Sequence, residues 1–193
     1  MKASRRTSRW TAIRKRLETF DRAGLLNLIV DLYGADARNR RFLESRLLAD
    51  PNVIEEYRRS VSAAIYPDPF SRRPISIRDA SAAITHYQRA TGDPVGVTDL
   101  MLSFVEAGTE QAADLGYGDE DYFGALERKL DAIATAYADL PPDVRSTVVR
   151  RLQRIRDRAQ KIGWGFGDYV DEVVGRIESR VVTRAAPIRR RRR

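Results

Sequence analysis

Apolar positions recur at helical spacing along nearly the whole chain. The plainest case is Val144, Val148, Leu152, Ile155, Ala159 and Ile162, separated by 4, 4, 3, 4 and 3 residues, the repeat of one helix face. Leu25, Leu28, Ile29 and Leu32 predict a helix from a cap at Asp21 to a stop at Gly34, and Asp36 opens a second helix with Phe42, Leu43 and Leu47. Asp50-Pro51 reads as an N-cap with proline at the first helical position, ahead of Val53, Ile54, Tyr57, Val61 and Ile65. The stretch "YPDPFSRRPIS" then stops that helix, stiffens a connector and starts the next. Ser76 and Asp79 form a shortened capping box, followed by Ile77, Ala80, Ile84 and Tyr87. Asp93-Pro94 opens a long stripe from Val97 to Leu115, closed by Gly116 and Gly118. Asp119 opens a helix that reaches Tyr137, and Asp168 caps a last one carrying Tyr169, Val173 and Ile177. No segment alternates apolar and polar between turn signals.

The expected fold is therefore all-α: a compact bundle of about seven to eight helices, mostly antiparallel helical hairpins, since short connections favour antiparallel neighbours. No sequence period requires a solenoid. "GYGDEDYF" and "GFGDYVDEV" both place Gly-aromatic-Gly-Asp before a helix, a device for stopping one helix and starting another. Trp164 and Phe166, in the glycine-flanked corner, are expected to plug one end of the bundle.

Charge changes this picture at the ends. The net charge of +8 points towards nucleic acid at first sight, but residues 1–20 hold seven Lys/Arg against one acid and residues 184–193 hold six Arg, which leaves residues 21–183 at −4. Three regions follow: a basic, partly helical segment 1–20, a single helical domain 21–183 and a disordered Arg-rich tail 184–193. Within the domain, residues 93–139 carry eleven acids against two bases, and residues 145–161 carry seven bases against one acid. Helices so charged are expected to face each other or share a surface. Arginine outnumbers lysine 31 to 4, a bias that suits a GC-rich bacterial genome. There is no cysteine, hence no thiolate zinc site and no cysteine nucleophile. No apolar run is long enough to span a bilayer, and no apolar core follows the basic N-terminus as in a secretory signal. A cytoplasmic protein without a membrane partner is the expectation.

Candidate chemistry is sparse. His86 is the only histidine, so His-rich metal sites are excluded, and Asp79 lies seven residues earlier on roughly the same helix face. Arg72 and Arg73 precede a helix start, where backbone N–H groups and the helix dipole favour an anion. Arg72, Arg73, Asp79 and His86 are therefore the candidate ligand site, against a plainer account in which they decorate a solvated turn and a helix end. Asp119, Glu120 and Asp121 could hold a metal, although the helix dipole alone favours acids at a helix start. No EF-hand, phosphate-loop or Gly-x-Ser-x-Gly pattern is present, and no catalytic residue, cofactor or metal ligand is assigned. Arg5, Arg6 and Arg9, with Arg189, Arg190, Arg191, Arg192 and Arg193, are the candidate contacts for nonspecific, salt-sensitive binding of nucleic acid.

"LIVDLYGADARNRRFLESRL", "RPISIRDASAAITHYQRATGDPVGVTDLMLSFVEAG", "GYGDEDYFGAL" and "IGWGFGDYVDEV", in that order over about residues 20–175, resemble a family of small bacterial helical proteins known only as a domain of unknown function. The resemblance implies an all-helical bacterial protein and no particular activity. It also implies a polar residue, often His, where this chain has Gly167. The expected function is a non-catalytic protein-interaction module; the alternatives are nucleic-acid association through the termini and a small-ligand or enzyme site around the four central residues.

Overall fold

The computed structural model describes residues 2–48, 52–163 and 165–185. Among them are nine α-helices and no strand. The helices are α1 (Lys2–Leu17), α2 (Arg22–Ala35), α3 (Ala37–Leu47), α4 (Val53–Ile65), α5 (Ile77–Thr91), α6 (Pro94–Leu115), α7 (Glu120–Ala136), α8 (Pro142–Ala159) and α9 (Phe166–Ala185). The count exceeds the expected seven to eight because the basic N-terminal segment is one continuous helix. Residues 186–193, which include Arg189, Arg190, Arg191, Arg192 and Arg193, lie outside the described residues, as do Asp50, Pro51 and Trp164.

Contacts group the chain into two compact units, Met1–Asp50 and Pro51–Arg193. The first unit thus takes in residues 21–50, which the sequence pattern had assigned to the 21–183 domain. In it α2 packs on α3. Asp21 caps α2 by accepting from Gly24 N at 2.7 Å, and Asp36 caps α3 by accepting from Arg38 N at 2.6 Å. Gly34 is not the predicted stop: α2 runs through it to Ala35, and the break is made by extended backbone at Asp36. The Tyr33 hydroxyl donates to Glu44 at 2.7 Å, and the Asn39 amide donates to Leu32 O at 3.0 Å, so polar bonds join the two helices. None of residues 9–48 is buried.

The second unit is organised around α6, which packs against α4, α5, α7 and α8. Asp93 starts α6 by accepting from Val95 N at 2.9 Å, Pro94 fills the first helical position, and Gly116 ends the helix with φ +64°. Phe104, Leu100 and Leu102 of α6 are fully buried, together with Leu126 and Leu130 of α7 and Leu152 of α8. Each such side chain contributes about 1.5–3 kcal/mol of burial. Gly108 lets α7 approach closely: a Cβ there would collide with the Leu126 side chain. Beside it the buried Tyr122 hydroxyl donates to Gly108 O at 2.9 Å.

Directions along the helices follow from their side-chain contacts. Arg58 of α4 meets Asp99 of α6, and Tyr66, just past α4, meets Asp114 further along α6. Arg151 of α8 meets Asp99 and Glu106, and Arg158 meets Glu110 and Asp114. Residue numbers rise together, so α4, α6 and α8 run the same way.

The connector between α4 and α5 carries a short 3-10 turn, Pro69–Ser71, capped by Asp68, which accepts from Phe70 N at 2.9 Å. The Ser76 capping box is half used. Ser76 Oγ accepts from Asp79 N at 3.2 Å, but Ser76 N donates back to Ala64 O at 2.8 Å and is not available to Asp79. At the other end of the unit, α9 begins at Phe166, so Asp168 lies in its first turn and is not its cap. Phe166 is fully buried against Phe123, with ring centroids 5.3 Å apart. Gly167 faces the backbone of α8, where a Cβ would lie 3.1 Å from Ala159 O, and this crowding favours glycine over any larger side chain.

Candidate binding groove on α4, α6 and α8

The charged positions of α6 lie on one face, with Ser103 among them. Asp99, Ser103, Glu106, Glu110 and Asp114 are spaced 4, 3, 4 and 4, while the other sides of the helix are buried. On α8 the apolar stripe turns inward and Arg151, Arg154 and Arg158 flank it, spaced 3 and 4. From α4 come Arg58 and Arg59. These three helices enclose an open groove of about 950 Å³.

Arg151 is the centre of the groove, its side chain only 12% exposed. It grips Glu106 with two hydrogen bonds, Nε to Oε1 at 2.8 Å and Nη2 to Oε2 at 2.6 Å. It also donates to Asp99 Oδ1 and, at 3.0 Å, to Ser103 Oγ. The other oxygen of Asp99 is held by Arg58, from Nη2 at 2.7 Å and Nε at 3.2 Å, and Arg58 also pairs with Glu55. Burial works against the charge of both arginines, but the hydrogen bonds that Arg151 donates to Glu106 and Asp99 and that Arg58 donates to Asp99, with the negative charge of those carboxylates, outweigh it and hold both pKa values above the ordinary one. Both guanidinium groups thus stay charged. Its value lies in fixing three helices in register, because partly exposed pairs add little net stability.

A second groove of about 340 Å³ adjoins the first and shares Arg58, Asp99 and Arg151 with it. Ile54, Val95, Leu102, Val144 and Val148 give it an apolar lining, nearer the starts of the same three helices.

The candidates chosen from the sequence lie elsewhere. Arg72 and Arg73 are exposed on the connector, Arg72 with a left-handed φ of +53°. Asp79 is exposed in the first turn of α5. His86 is half-buried and turns to α4, where its Nδ1 lies 2.5 Å from the Tyr57 hydroxyl. Tyr57 meets the edge of Tyr87 at 5.2 Å, and Tyr87 donates to Asp93 at 2.9 Å. His86 therefore belongs to an aromatic joint between α4, α5 and the start of α6. None of the four lines either groove. Arg5, Arg6 and Arg9 lie on α1, and Arg9 is exposed. Among the described residues no group of three or more His, Cys, Asp or Glu is placed to hold a metal, and no helix is long and apolar enough to cross a membrane.

Arg58, Arg59, Asp99, Arg151 and Arg154 were not singled out in the sequence. The signal that pointed to most of them was the pairing of an acidic block with a basic one, and ion pairs between α6 and α8 realise that pairing. Fold and groove together define an all-helical protein with a charged, concave face. Comparison of the chain with protein-family models, curated proteins and solved structures finds no match.

Proposed function

We propose that this protein is a non-catalytic protein-interaction module that holds an extended segment of a partner in the groove of α4, α6 and α8. Antiparallel hairpins α4–α5, α6–α7 and α8–α9, stacked side by side, would set the first helix of each in a row and leave a concave face along it. The observation that carries the reading is the groove lining, where five arginines stand with three carboxylates on three helices locked in register. A convergent set of charges over a groove of this size suits a chain segment better than a flat protein surface. The motif resemblance, the arginine bias and the lack of cysteine support a bacterial, cytoplasmic setting.

The test is a peptide-library selection run in parallel on the wild-type protein and on Ala63→Trp. Ala63 is exposed and lines the groove, so tryptophan there should fill it without disturbing the core. Peptides retained by the wild type and lost by Ala63→Trp are the expected result. Peptides held equally by both would contradict the proposal.

A further inference from the structure

We infer that the segment this groove takes is acidic, with an apolar side chain next to its carboxylates; the inference rests on the groove being a docking site. The carboxylates lining the larger groove are already engaged. Both oxygens of Asp99 and both of Glu106 are held by Arg58 and Arg151, and Glu110 pairs with Arg158. Two guanidinium groups remain: Arg59 on the α4 wall and Arg154 on the α8 wall. Both are exposed and line the groove, and neither makes an ion pair or a side-chain hydrogen bond among the described residues. An incoming carboxylate would therefore meet two open planar forks and no competing acid, and arginine binds carboxylate through two parallel hydrogen bonds.

The adjoining groove sets the polarity of the ligand. Its apolar lining offers a seat for one aliphatic or aromatic side chain. Asp143 also lines this smaller groove, in the first turn of α8, and it repels an acid at that end. The acidic residues of the ligand consequently lie over Arg59 and Arg154, towards the later part of the helices, and the apolar residue lies towards their starts. A nucleic acid fits less well, because Arg59 and Arg154 are the only two lining arginines left open among the described residues and a run of phosphates needs a longer basic track.

Three fluorescein-labelled octapeptides test this, alternating leucine with glutamate, glutamine or lysine, together with a labelled ten-nucleotide uridine RNA. Binding is read by fluorescence anisotropy at low and moderate salt. The glutamate peptide should bind at least tenfold more tightly than the other three probes. The double variant Arg59→Glu/Arg154→Glu should lose at least tenfold for that peptide and gain for the lysine peptide. Arg59→Gln/Arg154→Gln, which removes the charges without reversing them, should lose affinity while melting like the wild type. Glutamine or lysine peptides bound as tightly as the glutamate peptide, yet blocked by Ala63→Trp, would overturn the preference for acid and leave the groove as a docking site. Binding of the glutamate peptide unchanged by Ala63→Trp would remove the docking site as well. Failure of the glutamate peptide to bind, or tighter binding of the RNA, would overturn the inference.

Discussion

Helices α2 and α6 are the two most apolar of the chain, and the structure treats them in opposite ways. Helix α6 carries thirteen buried residues, among them Phe104 and Val105 with no exposed surface. Helix α2 has no buried residue; Leu26 is 52% exposed and Val30 is 66% exposed. A helix that is apolar on every side is expected to be buried on every side. For α6 this holds on all sides but one: four helices of its unit cover its apolar sides, and the one remaining face is a row of carboxylates. For α2 the packing partner in its own unit is α3, whose sequence ARNRRFLESRL is mostly polar, and polar bonds do much of the joining. Apolar composition therefore does not locate the core; the number of apolar neighbours does.

Five substitutions would break or sharpen this contrast, from the largest expected effect to the smallest. Phe104→Ala empties the middle of α6 and should cost about 3–5 kcal/mol in urea unfolding, the usual range for a buried phenylalanine. A loss below about 1 kcal/mol would mean that α6 is not the centre of the packing.

The second effect is on alkaline stability. Burial, and then the hydrogen bond to Asp93, push the Tyr87 pKa from the ordinary 10.0 up to about 12. The fold favours the neutral phenol, so its contribution is complete below pH 10 and is lost as pH rises from 10 towards 12. Stability should fall across that window by on the order of 2–3 kcal/mol for this residue, and Tyr87→Phe should remove that part of the slope. An unchanged slope in Tyr87→Phe would show that the joint at the start of α6 does not hold its phenol neutral.

Third, Gly108→Ala forces a methyl group into the Leu126 side chain and should cost about 1–3 kcal/mol by overpacking, seen as a lower midpoint in thermal unfolding. Thermal stability equal to the wild type would mean that α6 and α7 are less closely apposed. The smallest effect should come from α2. Leu26→Gln and Val30→Gln remove exposed apolar surface and should each change stability by no more than about 0.5 kcal/mol. A loss several times larger in either variant would place α2 in a core.

Much of the fold was legible in the sequence, for reasons that can be named. Most of the stripe from Val144 to Ile162 became α8, which ends at Ala159 and leaves Ile162 outside it, and Asp93-Pro94 and Gly116 bound α6 where proline, aspartate and glycine chemistry places them. Those signals are local. What was not legible depended on tertiary partners. Gly34 remained helical because nothing required the chain to turn there, and Asp36 made the break. Half of the Ser76 capping box was diverted to Ala64 O by the packing of the connector on α4.

The candidate site was less legible than the fold. His86 drew attention as the only histidine, yet it sits beside Tyr57 in a helix joint. The groove residues are common types, arginine and aspartate, spread over residues 58–158. Only the opposed acidic and basic blocks hinted at them, and block charge does not say which side chains converge.

The measurement that bears most directly on the groove is a map of backbone amide shifts in the 21.9 kDa chain as the glutamate–leucine peptide is added. Shifts concentrated in α4, α6 and α8, strongest around Arg59, Ser103 and Arg154 and absent from Arg59→Gln/Arg154→Gln, are the predicted result. Shifts concentrated in α2 and α3, with the groove unmoved, would contradict it and transfer the docking role to the exposed apolar helix.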